Sequence, residues 1–436
     1  MATKHFTGTA NPIKQVVEIT VTGTWATADT GTITINGNDL VVTVGSDTAV
    51  ADIAEILGRA VLATSNDQTT GSGALKNDES RNVGGQEINE FTEITASYSA
   101  AVLTLTAVTA GKPFVVSVSE TTAGTGSLGS PSTTVSATGP NHWDNADNWS
   151  DGAVPVNTDT VIIDSRSAAS VLYGLDQNSV TLTSLIIKRN FQSPFTIGLA
   201  EVNADNSQKK YAEYRDTYLK ISATTVEIGG GTTGQMSGRV KLNTGSNQTT
   251  LLVYTTGSTA ETGVPSLLFL GTHASNAVHV MNEDADVGIA FFEGESSTVA
   301  TLEANGILRC GGGTTLTNVD VNGGATQIDS ATTTLDVETG RCTVTNGAHA
   351  TVNVYQNGIL DYRSTGTVTT MEITGFLDCS RDPRGRTVTN ALVLNRGATV
   401  LDPHSTLTLS AGFSANHCKL GDLTLDVGID RSYTVT

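Results

Sequence analysis

Hydrophobic and polar residues alternate with a period of two along most of this chain, the spacing that sends successive side chains to opposite faces of a β-strand. Residues 14–22 (Lys-Gln-Val-Val-Glu-Ile-Thr-Val-Thr) open the pattern. Residues 31–37 and 38–44 come next as two strands about an Asn-Gly pair, the residues that best tolerate the positive φ of a tight hairpin turn. Over 47–62 the period changes. Val50, Ile53, Ile56, Leu57 and Val61 fall on one face of a helix, with Asp47 in place as its N-cap. Further strands are predicted over 92–97, 101–107 and 113–119, so residues 1–120 read as a small β-rich α+β domain with one helix.

Residues 121–138 are Gly, Ser and Thr with little else, the composition of a linker. Residues 139–179 carry Trp143 and Trp149, then Pro155 and a short apolar run. These three residues are predicted to cap the open end of a C-terminal coil, covering apolar surface and unpaired strand edges. An aromatic platform for sugars is the rival reading. From 180 to 436 short strands are punctuated by related phrases: Ala304-Asn-Gly, Val321-Asn-Gly-Gly, Thr345-Asn-Gly, Gln356-Asn-Gly and Asn395-Arg-Gly. Asn and Gly suit the corners of a coil, and the apolar residue after each then points inward. The predicted fold class is mainly β: the small α+β domain, then a parallel β-helix, or β-solenoid. One stretch, 201–220, breaks the pattern by concentrating charge and tyrosine. Tyr211, Tyr214, Arg215 and Tyr218 are candidates there for a subunit contact, since Tyr and Arg favour interfaces, with a solvated excursion as the alternative.

Charge narrows the partners. The chain has 24 Lys and Arg against 43 Asp and Glu, a net charge of −19, which repels a phosphate backbone and argues against direct nucleic-acid binding. No apolar run is long enough for a membrane span, and the first residues lack the apolar core of a signal peptide, so synthesis in a cytoplasm is expected. Cys310, Cys342, Cys379 and Cys418 form no CxxC pair and are expected as free thiols. No metal, cofactor or catalytic residue is assigned. Glu283, Asp284 and Asp286 read as a solvated turn, with a loose calcium site as the alternative. Asp361, Asp378 and Asp382, near Tyr355, Tyr362 and Phe376, are the remaining acids that a sugar-cleaving site would need. His273, His279, His349, His404 and His417 lie beside no nucleophile motif, and neither Gly229–Gly231 nor Gly311–Gly313 is followed by Lys-Ser/Thr.

Three stretches carry a resemblance. The segment from Trp25 to Leu62, with Leu103-Thr-Leu-Thr-Ala-Val-Thr-Ala-Gly-Lys-Pro-Phe, resembles small domains repeated in phage virion proteins and, more weakly, hook-associated segments of flagellar filament proteins. Asn141-His-Trp through Trp149 and Pro155 to Asp164 resembles a segment that precedes many bacterial and viral β-solenoids. The order of domain, linker, tryptophan segment and solenoid resembles uncharacterised phage and prophage proteins. The resemblance brings no biochemical role with it; since the chain carries no catalytic motif, a non-enzymatic structural protein on the outer capsid surface of the virion is expected. That would be a capsid decoration or cement protein, homotrimeric, bound to the major capsid protein and other virion proteins. A tail fibre or tailspike that binds the host is the alternative, and a polysaccharide-cleaving spike comes third.

Overall fold

The structure is a computed structural model. It describes residues 2–62, 74–76, 81–83, 86–88, 91, 93–191, 195–198, 218–234, 236, 238–257, 263–390, 392–416 and 418–427. It divides into two compact units: Gly8–Asn148 forms most of one, and the segments before and after it build the other.

In the first unit the strands Thr30–Ile35 and Asn38–Thr43 pair about Asn36 and Gly37, whose φ angles of 54° and 83° are those of the predicted tight turn. Val116–Thr121 joins the free side of Thr30–Ile35, and Ala74–Lys76 that of Asn38–Thr43. A second antiparallel sheet joins Val16–Thr22, Val102–Ala107 and Ile94–Ser99. The helix Val50–Leu62 starts three residues after Asp47 and buries Ile53, Leu57 and Val61 in a core shared with Ile19, Ile33, Leu40 and Leu103. The expected linker is different in the structure: Ser127–Leu128 and Ser132–Val135 both pair antiparallel with Val16–Thr22. Strand addition at an edge needs backbone groups more than side chains, so a Ser/Thr-rich segment can supply it and still look like a linker.

The second unit is a parallel β-solenoid of about 11 turns. Its first rung arises before the small domain, because Thr3–His5 pairs in parallel with Thr160–Ile163. The predicted start at 180 is therefore too late, and the segment assigned to a cap already contains a rung. From Thr160–Ile163 the first ladder runs coil by coil to Phe413–Asn416. Val161, Leu185, Val226, Leu251, Val278, Leu302, Val319, Leu335, Val352, Met371, Leu392 and Phe413 stack in register along it, none more than 5% exposed. Each buries its apolar surface on the next, so the core is a column. Leu302, Val319, Leu335 and Val352 succeed one another at intervals of 17, 16 and 17 residues, the tightest coils. A second ladder opens with the parallel bridges from Val171 to Ile197 and from Ile197 to Val240 and the pairing of Leu219 with Leu242, then passes through Leu267–Leu270, Asp286–Ile289 and Ile307–Cys310 to Thr424–Asp426. Asn305-Gly306, Asn322-Gly323, Asn357-Gly358 and Asn395-Arg-Gly397 all lie at the corner between the two ladders, and Asn346-Gly347 at the next corner. At Gly340 of the same corner φ is 75° and an added Cβ would lie 2.7 Å from the Gly323 carbonyl carbon, so coil sits on coil through bare backbone.

Candidate functional site

The candidate cap residues fall in two units. Trp143 is fully buried within the small domain, whereas Trp149 belongs to the solenoid and packs edge-on against Phe6, with ring centroids 5.3 Å apart. Pro155 is buried in the segment leading to Thr160–Ile163. At the terminal rung Lys4 stands opposite Val161, at the head of the apolar column, and is 4% exposed. Its Nζ donates to Asp151 Oδ2 at 2.6 Å and to the Ala153 carbonyl at 3.0 Å, and lies 3.9 Å from Asp159 Oδ2. Burial works to raise the Asp159 carboxyl. The Ala2 and Val156 N–H groups and the Lys4 charge outweigh it and hold that carboxyl below its ordinary value.

Of the proposed contact patch, Tyr211, Tyr214 and Arg215 lie outside the described residues. Tyr218 is 8% exposed, its hydroxyl donates to Glu295 Oε1 at 2.6 Å, and Lys241 Nζ stands 5.1 Å from its ring centroid. Tyr218 therefore packs into its own solenoid.

The acids separate by environment. Glu283 and Asp284 are exposed in a turn, where Thr255 Oγ1 donates to Asp284 Oδ2 at 3.1 Å. Burial raises Asp286 against the pull of Arg309. Asp361 and Asp378 face each other on adjacent rungs of the second ladder. Asp361 is fully buried beneath arginines. Its Oδ2 accepts from Arg341 Nη2 at 3.0 Å and from Arg363 Nη2 at 2.6 Å, its Oδ1 accepts from Arg363 Nε at 3.0 Å, and Arg381 Nε lies 3.5 Å away. Burial would raise this carboxyl, but Arg363 and Arg341 hold it below the usual range. Asp382 is pushed down to about 2 by Arg384, which binds it through both carboxylate oxygens. A general acid needs the opposite tuning, so these carboxylates are built to anchor guanidinium groups. The side chains of Arg341, Arg363 and Arg381 remain 39%, 35% and 52% exposed, leaving N–H groups turned to solvent.

Round the corner, on the outer face of the first ladder, the same coils carry the opposite sign. Glu303, Asp320, Asp336, Asn353 and Glu372 occupy equivalent outward positions on successive rungs, with His279 one rung before them. Glu338 and Tyr355 flank the row, Tyr355 being 41% exposed. His279 lies 2.9 Å from Glu303 Oε2, Asn353 donates to Asp336 at 2.7 Å and Asn395 donates to Glu372 at 2.7 Å. Among the described residues no Lys or Arg forms an ion pair with Glu303, Asp320, Asp336, Glu338 or Glu372. Rungs of a sheet lie about 4.8 Å apart, and like charges directly opposite destabilise it. Burial raises the Asp320 carboxyl, as do Asp336, Glu303 and Glu338.

Cys310, Cys342 and Cys379 are buried free thiols inside the second ladder, and burial pushes Cys310 and Cys379 up to about 12, so they pack as apolar groups. His349 is buried against Tyr362, near Thr332 Oγ1 at 2.8 Å, and burial lowers it to about 4, leaving it neutral. His417 lies outside the described residues. An apolar crevice in the last coils, between Leu392, Val400, Leu407, Phe413 and Leu425, offers no polar group to a reaction. Among the described residues no group of three or more His, Cys, Asp or Glu side chains is arranged to hold a metal ion, and no helix is long and apolar enough to cross a membrane.

No protein-family model matches the chain, and a search of curated proteins gives no match either. The two faces are not legible in the sequence because their members lie 16 to 22 residues apart, at unequal spacings that only the strand register brings into line.

Proposed function

We propose that the protein is a non-enzymatic structural component of a tailed-bacteriophage virion, a decoration or cement protein bound as a homotrimer to the major capsid protein on the outer surface of the head. The reading joins the likeness to phage virion proteins in the small domain and tryptophan segment to a rod-like architecture. The observation that carries it is the unbroken in-register column from Val161 to Phe413, whose coils bury apolar side chains on one another. Such a stack makes a stiff structural element. The acids that a sugar-cleaving site would use are instead committed to arginines at Asp361 and Asp382. The acidic net charge suits a surface turned away from packaged DNA.

Quantitative mass spectrometry of purified particles tests the assignment. Copies in the hundreds per particle support the head surface, a handful would move the protein to the tail, and none would end the virion reading. A host-binding tail rod is the second reading, favoured by the exposed Tyr355 ring beside the outward carboxylates. Release of oligosaccharide from host capsule or lipopolysaccharide by the pure protein would overturn its non-enzymatic character.

A further inference from the structure

We propose that copies of this chain associate side by side through two different faces of the solenoid, the acidic row of one copy seated on the arginine-bearing face of the next. The inference deepens the homotrimer part of the proposed function and is independent of its virion part.

Three features within five consecutive coils point to it. The outer face of the first ladder presents Glu303, Asp320, Asp336, Glu338 and Glu372, and no Lys or Arg forms an ion pair with them among the described residues. The adjoining face of the second ladder presents Arg341, Arg363 and Arg381, oriented by the buried Asp361 and the nearby Asp378, with Arg384 on the loop beyond. These four arginines stand over three carboxylates in a chain whose net charge is −19, so their residual positive charge runs against the molecule as a whole. Apolar surface accompanies both faces. Ile307 and Ile359 are each 38% exposed on the arginine side, and Tyr355 is 41% exposed beside the acids. Arginine and aromatic groups with exposed aliphatic side chains are the composition of an interface core.

The coils themselves fix the register. The carboxylates span the rungs from Ser297–Ala304 to Val368–Ile373, and the arginines lie on or just beyond rungs of those same coils. Copies related by rotation about an axis parallel to the solenoid sit at equal height, so the acidic row meets the arginines without a shift. The two patches differ, so the contact is heterologous and must close into a ring to leave no patch unmatched. Guanidinium groups already held by Asp361 are pre-oriented, which lowers the entropy lost on binding a second carboxylate.

Light scattering on the full chain in low-salt buffer with a chelator tests the proposal. The expected mass is three times that of the 45.1 kDa chain, falling as added salt screens the contact. Glu338→Lys combined with Glu372→Lys removes like charges from a crowded row, so it should fold at least as well as the original chain, yet run as a monomer. Arg381→Glu with Arg384→Glu alters the two most exposed of these four arginines and should also give a monomer, and combining all four substitutions should restore the trimer. A monomeric unaltered chain would overturn the interface. So would a trimer indifferent to the acid-side pair, a four-fold variant that fails to reassociate, or an assembly that needs a divalent cation and ignores the arginine changes. The measurement requires no particle, so its failure is separate from failure of the virion assignment.

Discussion

The small domain and the solenoid solve the same problem in opposite ways. Around the helix Val50–Leu62 the core is closed: Ile19, Ile33, Leu40, Leu57 and Leu103 come from both sheets and the helix and are buried together. In the solenoid each inner residue is buried by the coils before and after it, as Val319 is by Leu302 and Leu335. A closed core concentrates its stability in one cooperative event. A stacked core distributes it among nearest neighbours. The difference also governs the exterior, because a stack repeats whatever it places outward and so can build a row of one charge from residues far apart in sequence.

The largest effect should come from the closed core. Leu57→Ala is expected to destabilise the small domain by about 2–5 kcal/mol, lowering its calorimetric transition while that of the solenoid stays in place. A joint shift of both transitions would break the contrast. In the stack, Val319→Ala should remove about 1.5–3 kcal/mol locally. Amide-exchange protection would then fall in the coils around Leu302 to Val352 and hold near Leu251. Loss of protection along the whole solenoid would show a cooperative unit larger than neighbouring coils.

The smallest effect is a pH optimum. The Asp320 carboxyl is raised in the folded chain, so the stability it contributes is complete below the ordinary carboxylate pKa near about 4 and is lost as pH rises through its folded value. Asp361 is lowered, so its contribution is present above the ordinary value and is lost as pH falls through the folded one. Thermal scans should therefore show the solenoid gaining stability from neutral pH down towards the ordinary carboxylate range and losing it below. A monotonic fall from neutral pH would mean that the acidic row is not under mutual repulsion.

Local signals in the sequence carried the local structure. The Asn36-Gly37 hairpin, the apolar face of the helix and the Asn-Gly corners each depend on a few adjacent residues, and each is found in place. What was illegible depends on distant pairing. Thr3–His5 is too short to announce itself as a rung, and Ser132–Val135 has a linker's composition although it completes a sheet edge. Asp361 looked like a candidate acid because nothing near it reveals that Arg341, 20 residues earlier, closes over it.

The pairing of Thr3–His5 with a strand that begins at Thr160 has a consequence for biosynthesis. At about 5–20 residues per second, the ribosome needs roughly 8–30 s to deliver the partner after the first strand emerges. The small domain has time to fold in that interval and, by drawing Gly8 and Asn148 into one compact body, to shorten the loop that must close. Until then the newly made strand is an unsatisfied edge, open to pairing with any other extended segment.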